Sequence, residues 1–224
     1  MRTFKDRPKA IIFDMDGVIV DSMVYHFLAW YEALRPYGVR VSCFEVYSRE
    51  GEQWDKSLKD FLRMGNVKAT PGLMRKIFVA RQKIFKKYFK RNIFKGAEKL
   101  LGHLKGQGYR LGLVTGTPHA HVMRILPASI LGLFECIVAG DQVRCGKPCP
   151  QPYLKASRLL KLAVHECVVV ENAPLGIESA KQAGMFCVAL TTSLPAGYLS
   201  KADRIIDRLE EILAVVEKRK LPYP

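Results

Sequence analysis

The chain has 224 residues, 49% hydrophobic and 25% charged, with a formal net charge of +15. That length supports one good core plus a smaller second unit, and the composition excludes a disordered chain. No apolar stretch reaches the roughly 18 residues of a membrane span, and residues 1–8 carry no signal-type apolar region, so a cytoplasmic location is expected.

Residues 10–13, Ala-Ile-Ile-Phe, read as a short buried strand that ends in Asp14-Met15-Asp16-Gly17. Side chains alternate along an extended segment, so Asp14 and Asp16 can face one pocket, while Gly17 lets the backbone bend and approach a ligand. Two carboxylates that close repel unless a proton or cation lies between them. Mg²⁺ suits such a pair, because it takes hard oxygen ligands and leaves room for phosphate oxygens.

The stretch from 22 to 94 is helical in pattern, at 25–34, 55–64 and 71–90, and shows no strand. It is expected to form a separate cap over the carboxyl edge of the sheet, with crossings at 20–22 and 94–96 as hinges. Between Arg75 and Lys99 lie ten Lys/Arg and one acid, Glu98. Ile77, Ile84, Phe85, Tyr88 and Phe89 recur there at helical spacing, so the charge reads first as the solvated face of an amphipathic helix. Steering of anionic substrates comes second, and nucleic acid is not expected, because no reader motif accompanies the charge.

Beyond 94, helical patterns at 97–105, 119–126, 152–162 and 176–183 alternate with apolar, β-branched runs at 110–114, 136–139, 167–170 and 186–190. A short strand at 205–206 and a helix at 209–218 follow, and the tail Leu221-Pro222-Tyr223-Pro224 is expected to be loose. This alternation predicts an α/β fold: a Rossmann-like, doubly wound parallel sheet core with a small all-helical cap inserted after the first strand. Residues 1–21 and 95–224 would form the core domain and 22–94 the cap. Of six cysteines, Cys136, Cys167 and Cys187 fall inside apolar runs, and the pair Cys145/Cys149 has no second Cys/His pair to complete a zinc site.

In an open α/β sheet, ligands bind beyond the carboxyl ends of the strands. The first strand delivers Asp14 and Asp16 there. The second ends in Thr115-Gly116-Thr117, suited to holding phosphate oxygens by hydroxyl and backbone N–H. After the third comes Gly146-Lys147-Pro148, and the fourth ends in Glu171-Asn172-Ala173-Pro174. Nucleophile, phosphate cradle, cation and metal ligand thus occur in order on four strand ends, the parts of a phosphoryl-transfer site.

This set, Asp14-x-Asp16-Gly17-Val18, Thr115, Lys147-Pro148 and Glu171-Asn172, resembles the four motifs of the haloacid dehalogenase superfamily over nearly the whole chain. Asp14 through Ser22 with Tyr25-His26-Phe27-Leu28-Ala29-Trp30, and Glu171 through Ala180, are similar to its β-phosphoglucomutase and small-sugar-phosphatase branch. The resemblance implies that Asp14 attacks phosphorus and carries an aspartyl-phosphate, and that Asp16 protonates the leaving oxygen and then deprotonates water. It further implies that Thr115, Gly116 and Thr117 hold the phosphoryl group near Gly17, and that Lys147 offsets the charge on Asp14 and phosphate. Mg²⁺ would be held by Asp14, the Asp16 carbonyl and Asn172, with Glu171 contributing directly or through water. A second acid at Asp16 favours phosphoryl transfer over dehalogenation, which has no leaving alkoxide to protonate.

Two departures stand out. The acidic loop usually offers two acids where this chain has Glu171-Asn172, so a weaker Mg²⁺ site is expected. Upstream of Ser57-Leu58, where a mutase-like arginine is expected, the chain reads Glu52-Gln53-Trp54-Asp55-Lys56, leaving Arg49 or Lys56 as substitutes. His26 either couples cap closure to chemistry or packs at the seam; Trp30, Tyr25 and Phe27 read as helix core, and Ser22 as a helix cap. The expected function is a Mg²⁺-dependent phosphatase of a small phosphorylated metabolite, acting as a monomer away from membranes. The alternatives are a β-phosphoglucomutase-like phosphomutase and a non-catalytic basic binding protein.

Overall fold

Six short parallel strands set the frame of the molecule, which a computed structural model describes over residues 7–217. The first strand, β1 (Ala10–Phe13), is buried at every position. Its alternation feeds both faces: Ile11 and Phe13 join one apolar cluster and Ala10 and Ile12 the other. The remaining strands are β2 (Arg110–Val114), β3 (Cys136–Val138), β4 (Cys167–Glu171), β5 (Phe186–Leu190) and β6 (Arg204–Ile206). They lie in the order β3-β2-β1-β4-β5-β6, so the order reverses at β1 and a crevice opens between β1 and its two neighbours. Phe13 is in register with Leu113 on one side and Val170 on the other. Asp14, Val114 and Glu171 therefore end at one level.

The insert follows β1 as α1 (Met23–Leu34), α2 (Cys43–Tyr47), α3 (Trp54–Met64) and α4 (Pro71–Tyr88). Trp30, Leu34, Leu58, Phe61, Leu62 and Ile77 give it an apolar cluster of its own. The short α2 is absent from the expectation, although Ser42 and Glu45 form a reciprocal capping box at its start. The two crossings lie side by side: Val20 bridges Ile93 antiparallel, and the N–H of Phe94 donates to the carbonyl of Ile19 at 3.0 Å.

Helices α5 (Ala97–Gly106), α6 (His119–Ile125), α7 (Ala128–Leu131), α8 (Gln151–Leu159), α9 (Pro174–Gln182) and α10 (Ile212–Val216) cover the two faces. The helix expected over 209–218 is a 3-10 turn, Leu209–Glu211, followed by α10; residue 218, the tail from Leu221 and residues 1–6 lie outside the described residues. No helix among the described residues is long and apolar enough to cross a membrane.

Candidate active site

The four strand ends converge. Lys147 is buried and its ammonium lies 2.5 Å from Asp14 Oδ1 and 2.5 Å from Glu171 Oε1. One cation thus serves two carboxylates. Burial works against the ammonium, but the charge and hydrogen bonds of Asp14 and Glu171 outweigh it and hold the Lys147 pKa above its ordinary value. Burial also pushes the Asp14 carboxyl well above the usual range, opposed by Lys147 and reinforced by Glu171, Glu50 and Asp16. The centre is therefore short of positive charge.

Glu171 is not left open for a metal ion as expected. Its Oε1 accepts from Lys147 and from the Tyr153 hydroxyl at 2.6 Å, while its Oε2 accepts the N–H groups of Asn172 at 2.9 Å and Ala173 at 3.3 Å. With both oxygens filled, it orients Lys147 and closes the loop after β4; this corrects its reading as a direct metal ligand. Two other oxygens stay free: Asp14 Oδ2 and Asn172 Oδ1 are buried with no hydrogen-bond partner. An orphaned buried oxygen is costly without a partner, and two of them from hard donors fit a small divalent cation. Ser193 Oγ, 2.7 Å from Asn172 Nδ2, turns the amide so that its oxygen is the free end. Gly17 has φ +85°, and a Cβ there would lie 2.0 Å from Asn172 Nδ2, so only glycine lets the β1 turn pack on that amide.

Asp16 is fully buried, but its carboxylate faces away from those orphans. Oδ1 accepts from Ser22 at 2.6 Å and lies 3.0 Å from His26 Nε2; Oδ2 accepts from Thr117 at 3.0 Å and Thr115 at 3.4 Å. Burial alone would raise its pKa, yet attraction to His26 and hydrogen bonds from His26, Ser22 and Thr117 lower it to about 2. Ser22 thus bonds Asp16 and makes no cap bond to α1, contrary to expectation. Arg81 on α4, which nothing in the sequence singled out, places Nη2 2.7 Å from His26 Nδ1. The ring is thus held from both sides, Nε2 toward Asp16 and Nδ1 toward Arg81. Asp16, His26 and Glu50 bring ligand atoms within 4.8 Å of one another. With both ring nitrogens engaged, however, His26 is not free to ligate a metal, and Arg81, His26 and Asp16 form a hydrogen-bonded link from the insert to the core.

The insert closes over this centre. The backbone of Glu52 pairs with that of Lys147 in an isolated parallel β-bridge, and a Cβ on Gly51 would lie 2.3 Å from Lys147 Cδ. Thr115, Gly116, Thr117, His26 and Lys147 open onto a cavity of about 760 Å³ between insert and sheet. Phe85, expected in the helix core, packs at a tilt against His26, with ring centroids 4.7 Å apart and planes at 35°; Trp30 is buried in the insert's own cluster, as its helical spacing suggested, and also borders the cavity. Arg49 pairs with Glu52 at 3.1 Å and Asp60 at 2.8 Å, and Lys56 with Glu52 at 3.2 Å. Both cations proposed to replace the missing arginine are thereby neutralised.

A sheet with this switch point, an aspartate on its first strand and a helical lid defines a phosphoryl-transfer type of α/β enzyme. Residues 8–184 match the haloacid dehalogenase-like hydrolase family, and the chain belongs to that family. It is 30% identical over 194 residues to the β-phosphoglucomutase of Bacillus subtilis, covering 84% of this chain and 85% of that protein. It is 32% identical over 226 residues to hexitol phosphatase A of Escherichia coli, covering 92% and 94%. Among solved structures, CbbY of Rhodobacter sphaeroides in complex with phosphate aligns with a TM-score of 0.75 at 25% identity, over 94% of this chain and 99% of that one.

Proposed function

We propose that the chain is a Mg²⁺-dependent phosphatase that hydrolyses a small phosphorylated metabolite through a phosphoryl group carried on Asp14. The observation that carries this reading is the divided use of one carboxylate: Lys147 holds Asp14 Oδ1, while Oδ2 stays buried and unpartnered, as does the side-chain oxygen of Asn172. Asp14 Oδ2 and Asn172 Oδ1, with the backbone carbonyl of Asp16, would hold Mg²⁺, which supplies charge to bring an anionic ester against an anionic nucleophile. Lys147 keeps Asp14 oriented and shares its charge with the incoming phosphoryl oxygens. Thr115 and the N–H groups of Gly116 and Thr117 seat those oxygens. Asp14 forms the new P–O bond as the ester bond breaks. Asp16, held ionised here by His26, Ser22 and Thr117, takes up a proton when substrate displaces those partners and gives it to the leaving oxygen. Water then attacks the phosphoryl group, returns a proton to Asp16 and frees Asp14 and phosphate.

In this reading residues 22–94 act as a cap domain on the core of 1–21 and 95–224, and the Glu52–Lys147 bridge marks its closed position. A hydrolase is preferred over a mutase because the stretch 52–56 upstream of Ser57-Leu58 carries no arginine, and Arg49 and Lys56 are spent on Glu52 and Asp60. The test is phosphate release from a panel of sugar phosphates, with Mg²⁺ and with EDTA, by the wild type and Asp14→Asn. Release that needs both Mg²⁺ and Asp14, without isomerised product, is expected. Isomerisation dependent on a bisphosphate primer would make it a mutase.

A further inference from the structure

The cavity above the nucleophile is lined in a way that a sugar does not require. Trp54 opens α3 and stacks on Phe78 of α4, with ring centroids 3.9 Å apart and planes at 19°. Both rings line the cavity, and Trp54 keeps 38% of its surface exposed. An exposed aromatic pair at a cavity wall offers a flat apolar platform, which suits the face of another ring.

Three of the four carboxylates that line the cavity have partners, and the side chain of the fourth, Glu50, has no hydrogen bond or ion pair among the described residues. Glu52 holds Arg49 and Lys56, Asp55 lies 3.7 Å from Lys59, and Asp141 accepts the His119 N–H at 2.9 Å. The cations are the reverse. Lys83 and Lys86 from α4 and Arg124 from α6 line the same cavity, and none of them has an ion-pair partner among the described residues. They approach it from insert and core alike, and the basic face of α4 continues outward through Arg75 and Lys76 beside Lys83. Exposed, unpaired cations around the mouth of a cleft draw in a ligand with more negative charge than one phosphoryl group. At about 760 Å³ the cavity lies in the upper part of the roughly 300–1,000 Å³ range of clefts that enclose drug-sized ligands.

We infer that the preferred substrate is a phosphate monoester whose leaving group carries a flat heteroaromatic ring and a second anionic group, the chemistry of a nucleoside bisphosphate. The ring lies on Trp54 and Phe78, and the second anion between Lys83, Lys86 and Arg124. This rests on the phosphatase reading and uses the same step: the ester P–O bond breaks, water supplies the new oxygen and the alcohol's proton, and inorganic phosphate leaves.

Four esters separate the two features: glucose 6-phosphate (neither), fructose 1,6-bisphosphate (second anion only), adenosine 5′-monophosphate (ring only) and adenosine 3′,5′-bisphosphate (both). The expected kcat/KM for the last exceeds that for glucose 6-phosphate at least tenfold, about 1.4 kcal/mol of discrimination, with the other two between. Trp54→Ala cuts the ratio of adenosine 5′-monophosphate to glucose 6-phosphate tenfold, and Trp54→Phe restores most of it. Lys83→Gln with Lys86→Gln lowers the ratio of adenosine 3′,5′-bisphosphate to adenosine 5′-monophosphate at least fivefold. Glucose 6-phosphate as the best of the four, or ratios unmoved by these variants, overturns the inference while leaving the phosphatase standing. Hydrolysis of none of these, nor of the wider sugar-phosphate panel, overturns both.

Discussion

Replacing Lys147 by Met removes the ammonium that sits 2.5 Å from both Asp14 and Glu171. Glu171 retains the Tyr153 hydroxyl and two backbone N–H groups as hydrogen-bond donors. Asp14 retains nothing. Breaking a buried ion pair from one side costs about 3–5 kcal/mol. Burial favours a protonated Asp14 even with Lys147 in place, so the loss has a ceiling: at most it is the cost of neutralising the Asp14 that Lys147 keeps ionised. With an unfolded carboxyl near 3.9, neutralising it costs about 4 kcal/mol at pH 7 and about 1.5 kcal/mol at pH 5. At about 2–4 °C per kcal/mol for a chain of this size, Tm should fall by about 8–16 °C at pH 7 and about 3–6 °C at pH 5, relative to wild type at each pH. The assay is thermal unfolding followed by circular dichroism, without added metal. An equal drop at both pH values would refute the idea that Asp14 is left as an uncompensated charge, and no drop at pH 7 would refute the pairing itself.

Asn172→Asp adds a negative charge to the proposed cation site and should tighten Mg²⁺ binding about tenfold, read by metal titration without substrate; unchanged affinity in both Asn172→Asp and Asn172→Ala shows that Asn172 is no ligand. Gly17→Ala combines a left-handed φ of +85° with a Cβ 2.0 Å from the Asn172 amide, so it should cost about 2 kcal/mol or more, a Tm loss of about 4–8 °C. A fall under a degree would mean that the turn relaxes freely. His26→Ala removes the attraction and a hydrogen bond that lower the Asp16 pKa to about 2. Asp16's stabilising contribution is present above the unfolded carboxyl pKa near 3.9 and is lost as pH falls through about 2. The variant should therefore be weaker by about 1–3 kcal/mol in urea at pH 6, with the gap closing between pH 4 and pH 2; a gap independent of pH contradicts this.

Strand ends were legible in the sequence because their chemistry is local. Four apolar runs bounded by Asp14, Thr115, Lys147 and Glu171 announce both the sheet and what it presents, and the observed strands differ from the expected ones by a residue at some ends. Bonds made between distant elements were not legible. Arg81 looked like one more lysine-class charge on a basic helix, and only the packing of α4 on α1 puts it on His26. Glu171 read as a metal ligand because its hydrogen-bond partner Tyr153 lies 18 residues earlier, on a helix whose direction the sequence does not state. Arg49 looked available because Asp60, its neutralising partner, faces it only once α3 is folded. Ser42 and Glu45 did carry a local signal for α2, the capping-box spacing.

The central claim is that Asp14 carries the phosphoryl group. Mixing the enzyme with Mg²⁺ and a hydrolysed ester, quenching in acid within the first turnovers and mapping the peptides by mass spectrometry tests it directly. A phosphoryl adduct on the peptide containing Asp14, absent from Asp14→Asn, is the predicted result. Rapid phosphate release by an Asp14→Asn protein, or an adduct on another residue, would contradict the account.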